Sequence, residues 1–218
     1  MKYKGILFDD IHTFDDLNLI LSVCPDMPPA KPKTTYIDIP GADGSLDLSE
    51  AHGEIRYSDR ENQYTFTMLP DDSTTWEEKM TEVSNLLNGK RMKMTLDKDE
   101  DYYWDVRVSI NSYESDKNLH QIVISVKALP YKFKQWETKS EIKLTGEYQT
   151  IYLSNGRKSV CPVIECSNSN TYISFDSIET TLSAGRHEIL DIQFKEGTNK
   201  VVLKGSGTVS FSYREGDL

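Results

Sequence analysis

The chain has 218 residues, of which 37% are hydrophobic and 28% are charged, enough to bury one large core or two modest ones. Its 35 acidic and 25 basic residues give a formal charge of −10, which argues against a general binder of nucleic acid or anionic membrane and favours protein partners. No apolar run approaches the roughly 18 residues of a membrane span, and residues 1–16 lack a signal-peptide pattern, so we predict neither feature.

The charge divides the chain into two parts. Residues 1–130 hold 24 acidic and 14 basic side chains, whereas residues 131–218 hold 11 of each. This asymmetry indicates two units with different surroundings. For any single carboxylate, the simpler interpretation is that an acidic surface keeps a domain soluble.

The first part of the chain begins with predicted strands and an extended connector. In residues 3–23, short apolar runs are broken by aspartates, which favours strands and turns over a helix. Four prolines in residues 24–32 exclude a regular strand or helix there. The alternating segment 35–40 predicts a strand, as do residues 54–56 and 63–69. A turn with two glycines able to adopt positive φ follows the first of these strands, at Pro40, Gly41, Asp43 and Gly44.

One helix is predicted over Thr75–Asn88. Its apolar residues recur at steps of four, three and four and form one stripe, made of Trp76, Met80, Val83 and Leu87. Thr75 with Glu78, or the pair one residue earlier, makes a capping box, and Gly89 stands where a left-handed C-cap residue belongs. Because the stripe covers a single face, we expect the helix to lie on a sheet.

A long hairpin is predicted next, over residues 91–113. Its tip is acidic and contains Asp97, Asp99, Glu100 and Asp101. In the returning strand, apolar side chains share one face at period two, namely Trp104, Val106, Val108 and Ile110. Residues 119–129 predict a further strand, which Pro130 and Tyr131 are expected to end.

The last part of the chain carries no helix signal after Trp136. Seven short β runs alternate with turns there: Glu141–Leu144, Thr150–Leu153, Val163–Cys166, Tyr172–Phe175, His187–Ile192, Lys200–Leu203 and Thr208–Tyr213. We interpret Gly205-Ser206-Gly207 as a tight hairpin between the last two runs. Regular spacing of this kind favours an antiparallel sandwich. We therefore predict two domains, residues 1–132 and 133–218.

No catalytic or metal site is predicted, and we expect neither an enzyme nor a cofactor. The histidines lie far apart, at His12, His52, His120 and His187. Cys161 and Cys166 would point to opposite faces of one strand, and with Cys24 they form an odd number that suits free thiols in a reducing cytosol. The alternating aspartates of the acidic tip resemble a calcium loop, but Tyr102 and Val108 stand where that loop needs glycine and glutamate. Carboxylate pairs are abundant, but sequence alone does not separate a tuned glycosidase pair from a solvated surface.

Several short motifs together resemble the siphophage distal tail protein (Dit) family. The segment 39–48, which follows the proline-rich connector, is similar to the family's Pro-Gly-x-Asp-Gly segment. The capped helix, the junction strand ending in residues 128–133, and the closing segments 196–200 and 207–213 agree with the same pattern. The resemblance spans nearly the whole chain.

This resemblance implies a mainly β fold with one helix (α+β). The N-terminal domain would be a β-sandwich-like ring domain with the helix and the long hairpin, and the C-terminal domain a galectin-like antiparallel β-sandwich. The implied function is that of a structural hub protein of the phage tail tip or baseplate. It would form a homo-hexamer joining the tail tube protein to the tail-tip or tail-associated lysin protein, and would also anchor receptor-binding proteins for host attachment. Such a protein is part of the virion, is assembled in the host cytoplasm, and has no membrane or specific nucleic-acid partner.

A ring needs exposed edges or hairpins that reach a neighbouring copy. We predict that Tyr102, Tyr103 and Trp104 form the oligomer interface, while the acidic tip faces solvent or the lumen. The alternative is a hairpin packed on its own domain. An acidic ring domain also suits a DNA exit path, because a negative lumen does not hold the phosphate backbone.

The leading alternative function is a carbohydrate-binding module for cell-wall attachment. Such a module would stay monomeric and bind glycans. Residues 137–218 contain no tryptophan, the side chain that sugar sites favour as a flat aromatic face. They also lack the histidine-asparagine-arginine signature of sugar-binding galectins. We therefore interpret the second domain as a docking module.

Overall fold

The computed structural model describes residues 5–23, 26–51, 53–68, 75–116 and 119–218. Strands dominate these residues and a single helix occurs among them, which confirms the mainly β class with one helix. The chain divides into two compact units, Met1–Pro130 and Tyr131–Leu218, called unit 1 and unit 2 below. The sequence predictions for Cys24 and His52 lie outside the described residues.

Nine strands and the helix begin in unit 1. In chain order they are β1 (Ile6–Phe8), β2 (Ile11–His12), β3 (Leu19–Val23), β4 (Tyr36–Asp38), β5 (Ser45–Asp47), β6 (Arg60–Met68), α1 (Trp76–Leu87), β7 (Arg91–Leu96), β8 (Tyr102–Asp116) and β9 (Leu119–Lys134). Seven of these strands lie in one sheet in the order β2-β1-β7-β8-β9-β6-β3, whereas β4 and β5 pair only as a separate two-stranded hairpin. The predicted strand at residues 54–56 does not form; Tyr57 makes an isolated bridge to Pro32.

The core of unit 1 lies on one face of this sheet, together with α1. Period-two burial is clear in β9, where Ile122, Ile124, Val126 and Ala128 are buried. The predicted helix is confirmed with its capping box, because the Thr75 hydroxyl accepts from the Glu78 N–H at 3.3 Å and Glu78 accepts from the Thr75 N–H at 3.0 Å. Met80, Val83 and Leu87 of its stripe are buried, and Trp76 is half-buried against the core.

The prediction that Pro130 ends its strand is wrong, because β9 continues to Lys134. The ladder between β6 and β9 ends where Arg60 faces Ala128. Pro130 therefore lies beyond that ladder, and its missing N–H removes no hydrogen bond to β6.

Unit 2 contains nine further strands: β10 (Thr138–Thr145), β11 (Gln149–Asn155), β12 (Val163–Cys166), β13 (Thr171–Phe175), β14 (Ile178–Leu182), β15 (Gly185–Glu188), β16 (Gly197–Lys204), β17 (Ser206–Tyr213) and β18 (Gly216–Asp217). They form two four-stranded antiparallel sheets, β10-β17-β12-β15 and β11-β16-β13-β14, while β18 pairs with Lys132 and Phe133 of β9. Phe194, Phe211 and Tyr213 pack in a core that both sheets share. This is an antiparallel sandwich.

The tight hairpin predicted at Gly205–Gly207 is wrong. Strands β16 and β17 are consecutive but belong to different sheets, so Gly205 carries the chain from one sheet to the other. Its φ is +152°, and an added Cβ would lie 3.4 Å from the Thr171 Cα atom. A sheet-to-sheet crossing needs glycine for the same steric reason as a hairpin, so the two are indistinguishable in the sequence. The edge strand β14 was not predicted, and the run predicted at 187–192 is instead β15.

Candidate functional site: an exposed arm in unit 1

Residues 31–59 of unit 1 form an arm that is separate from the seven-stranded sheet. At its base, the Lys33 N–H donates to the Arg56 carbonyl at 2.8 Å and the Ser58 N–H donates to the Lys31 carbonyl at 2.9 Å. Farther out, β4 and β5 pair with Ile37 opposite Leu46. Every residue from 31 to 47 is exposed. The arm therefore has backbone order without burying a face in the protomer.

The arm exposes an apolar surface. The exposed fractions are 58% for Tyr36, 48% for Ile37, 47% for Ile39 and 48% for Leu46. A two-stranded hairpin without a covered face is at best marginally stable in water, and a contiguous exposed apolar patch marks an interaction site. Ile37 and Leu46 pair on one face of the hairpin and Tyr36 lies on the other, and the protomer leaves all three exposed.

The family-motif turn predicted from the sequence is the tip of this arm. Gly41 and Gly44 have φ of +83° and +75°, the left-handed region that glycine adopts without strain. Pro40 and Asp43 are exposed beside them. The Ser45 hydroxyl donates to Asp38 at 2.5 Å and closes the turn.

Asp47 holds the end of the arm's second strand. The Ser49 hydroxyl and the Ser49 N–H donate to the Asp47 carboxylate at 2.5 and 2.9 Å. These hydrogen bonds, the hydroxyl first, lower the pKa of Asp47. The arm's end is thus ordered by its own polar groups, while its apolar residues remain exposed.

A buried arginine follows the arm directly. Arg60, the first residue of β6, is 6% exposed, and its Nε and Nη2 atoms are buried without a hydrogen bond to any described residue. Burial lowers the pKa of the Arg60 guanidinium. A buried cation without a paired acceptor is destabilising. Arg60 is therefore a second group near the arm whose hydrogen bonds are not completed by the described residues of the protomer.

The hairpin predicted over residues 91–113 is present as β7 and β8. Its acidic tip is only partly exposed to solvent. Asp97 accepts from the Gly5 N–H at 2.6 Å, and its other carboxylate oxygen lies 3.2 Å from His12 Nε2. Asp99 is half-buried, whereas Glu100 and Asp101 are exposed. Asp97 therefore joins the tip to β1 and β2.

The aromatic cluster of that hairpin is mostly buried within the protomer. Trp104 is 5% exposed and belongs to the core of unit 1, and Tyr103 is 9% exposed beneath Lys93, whose Nζ lies 5.0 Å from the ring centroid. Tyr102 is half-buried. An interface role for these three residues stays a prediction, and Tyr102 is the member that remains accessible.

We next consider metal-binding and nucleophilic groups among the described residues. No group of three His, Cys, Asp or Glu among them is arranged to hold a metal ion. Burial raises the pKa of both Cys161 and Cys166, which disfavours the nucleophilic thiolate. No described helix has the length and apolar character of a membrane span.

No protein-family model and no curated protein matches the chain. Among solved structures, the chain is similar to the crystal structure of the SPP1 Dit (gp 19.1) protein, described as a paradigm of the hub adsorption apparatus of phages infecting Gram-positive hosts. The TM-score is 0.71, and the match covers 98% of this chain and 99% of that one. This chain has the Dit fold. Sequence identity is 13%, so the Dit likeness that the short motifs indicated is confirmed as a likeness of fold.

The sequence does not single out the exposed apolar residues of the arm. Tyr36, Ile37, Ile39 and Leu46 were read as ordinary strand residues beside the Dit-like turn. These four residues are distinguished by their exposure, which the alternation of apolar and polar residues along a strand does not indicate. The signal available in the sequence was the position of this strand and turn directly after the proline-rich connector.

Proposed function

We propose that this protein is a structural component of a phage tail tip and that its arm joins neighbouring copies into a ring. The observation that carries the proposal is the apolar face of the arm, where Ile37, Ile39 and Leu46 are 47–48% exposed. Covering it on a neighbour would contribute about 1 kcal/mol per side chain, since each is already half-buried. Identical arms on identical subunits then generate a closed ring by repeated head-to-tail contacts.

The tail-tip part of the proposal is supported by the fold, which agrees with SPP1 Dit over both chains. The ring we propose is a homo-hexamer that connects the tail tube protein to the tail-tip or tail-associated lysin protein. It would be a virion component of the baseplate, assembled in the host cytoplasm. No step of this role requires catalysis or a cofactor.

We further propose that residues 1–132 and 133–218 are separate domains with different tasks. The first would form the ring, with its acidic surface at the DNA exit path. The second would be a galectin-like docking module that anchors receptor-binding proteins. Gln135–Glu137 lie between β9 and β10, and Trp136 there is 81% exposed, so limited proteolysis should cleave at this position.

The decisive experiment changes the arm alone. In the triple variant Ile37→Ser, Ile39→Ser, Leu46→Ser, we expect sedimentation velocity to show a monomer where the wild type shows a ring, with an unchanged circular dichroism spectrum. Leu190→Ser is the matched control, because Leu190 is 78% exposed and lies in unit 2; it should keep the ring. A wild-type chain that stays monomeric at high concentration and beside its tube protein would contradict the proposal and favour the carbohydrate-binding alternative.

A further inference from the structure

Unit 2 carries an aromatic and basic surface on the outer face of the sheet β11-β16-β13-β14. The sheet's inward residues, such as Leu153, Val201 and Ile173, are buried in the core. The alternate positions point the other way. On this side lie Tyr148, Tyr152, Tyr172, Lys200 and Lys204, which we call the tyrosine face.

Strand register brings the tyrosine face together from distant parts of the chain. Lys204 pairs with Tyr172, and Lys200 pairs with Tyr152. The ring of Tyr148 meets that of Tyr172 edge to face, with centroids 5.7 Å apart, and Lys204 Nζ lies 4.5 Å from the Tyr148 centroid. Tyr148 and Tyr152 nevertheless remain 63% and 65% exposed. The face is therefore ordered and accessible at once.

Apart from Val202 and Glu179, the other outward residues of these strands are small and polar. Thr150 and Ser174 both pair with Val202, and Thr181 pairs with Tyr172. Val202 is the one aliphatic side chain of these rows and is half-buried. A protein partner binds mainly through a desolvated apolar centre, which this face does not offer. Hydroxyl groups beside exposed rings suit a ligand that itself presents hydroxyls and C–H groups.

The charge of the tyrosine face is opposite to that of the chain. Lys200 and Lys204 are its two cations, and the acidic residue in the paired rows is Glu179, opposite Ser174 on the edge strand. The chain as a whole carries −10. Residues 131–218 hold 11 acidic and 11 basic side chains, so two lysines on one face give it a local positive potential that favours an anionic ligand.

We propose that the tyrosine face binds an anionic glycan, whose sugar or polyol units stack on Tyr148 and Tyr152 while its acidic groups pair with Lys200 and Lys204. Burial, with the nearby Glu179 carboxylate, raises the pKa of Tyr172, so its ring stays uncharged beside the bound anion. The anionic group is either a phosphodiester or a carboxylate, since both accept hydrogen bonds from an ammonium group. The proposal concerns unit 2 and does not depend on ring assembly.

Calorimetric titration of the full chain tests this with three polymers at physiological ionic strength: poly(glycerol phosphate), polygalacturonate and neutral dextran. We expect saturable binding to at least one of the two polyanions and none to dextran. The polymer that binds identifies the anionic group. Tyr148→Ala with Tyr152→Ala should weaken binding at least about tenfold, whereas the two Tyr→Phe changes should retain most of it because the rings remain.

The matched charge control is on the other sheet. Lys200→Gln with Lys204→Gln should weaken binding, whereas Lys139→Gln with Lys143→Gln, two exposed lysines of β10, should not. Equal losses from both lysine pairs would show nonspecific attraction and overturn the proposal. It would also be overturned if neither polyanion bound, or if dextran bound as tightly as the polyanions. Thermal unfolding of each variant separates loss of binding from loss of fold.

Discussion

Two hairpins of unit 1 look alike in the sequence and behave differently in the fold. The hairpin β7-β8 carries the conspicuous aromatic cluster, yet Trp104 is 5% exposed and supports the protomer's own core. The hairpin β4-β5 is shorter and has fewer aromatic residues, yet its residues are all exposed. Aromatic content therefore does not distinguish an exposed surface from a core, because the same side chain serves a core equally well. What distinguishes the arm is apolar surface that the protomer leaves uncovered.

The largest expected effect tests which hairpin supports the protomer. Trp104→Ala should lower the free energy of unfolding of unit 1 by about 3–5 kcal/mol, because it removes a buried indole from a packed core. Ile37→Ser in the arm should change it by less than about 0.5 kcal/mol, as for other exposed positions. Urea denaturation followed by circular dichroism measures both. Similar losses from the two substitutions would remove the distinction between the hairpins.

A smaller effect is expected at the helix that covers the sheet. Trp76 stacks on His120 with centroids 4.6 Å apart, and its ring is 6.4 Å from that of Tyr113, but it is only half-buried. Trp76→Ala should therefore destabilise unit 1 by about 1–2 kcal/mol, less than Trp104→Ala. The same urea titration compares them directly, and a loss as large as that of Trp104→Ala would place Trp76 in the core proper.

Arg60, which directly follows the arm, gives a further test of the comparison between the two hairpins. Arg60→Met removes a buried guanidinium whose Nε and Nη2 atoms have no hydrogen-bond partner among the described residues, and it keeps most of the side-chain volume. We expect the monomer to be unchanged or more stable by about 1 kcal/mol, as for other replacements of buried charges by apolar residues. If a neighbouring copy supplies a carboxylate to Arg60, the same change should weaken assembly, as sedimentation velocity would show. A marked loss of monomer stability would instead mean that the guanidinium is satisfied within the protomer.

The smallest effect concerns pH. The hydrogen bonds from Ser49 lower the pKa of Asp47 in the fold, so its contribution to stability is present above the ordinary pKa of an aspartate and is lost as pH falls through the lower folded pKa. In an NMR titration below about pH 4, the Ser49 amide resonance should shift as its acceptor is protonated. Asp47→Asn should abolish that titration. The β7-β8 ladder, which is formed by backbone groups, should keep its amide protection.

Local patterns predicted the parts of this fold that depend on local chemistry. Helix α1 was predicted with its cap because the stripe and the Thr75–Glu78 pair lie within one short segment. Strand β12 was predicted to the residue, since a short apolar run between turns is also a local signal. The Dit likeness rested on the order of such short motifs and proved correct for the fold.

The remaining features depend on which strands become neighbours. Pro130 lies within a strand because the β6 ladder has already ended, and Gly205 crosses between sheets although it resembles a hairpin glycine. The tyrosine face unites Tyr148, Tyr172 and Lys204 through register. Exposure of the arm is likewise a property of the folded protomer. Non-local pairing is not encoded in any short window, so these features appear only in the structure.

Site-specific photo-cross-linking tests the central claim most directly. A benzophenone amino acid replaces Ile39 in the arm or, as the matched control, Lys93, which is exposed on β7. Two preparations of each benzophenone variant, which differ in isotopic composition, are mixed before assembly and irradiated after it. The account predicts cross-links between differently labelled chains from position 39, and few from position 93. Cross-links from position 39 that stay within one chain, or intermolecular cross-links from position 93 alone, would contradict it.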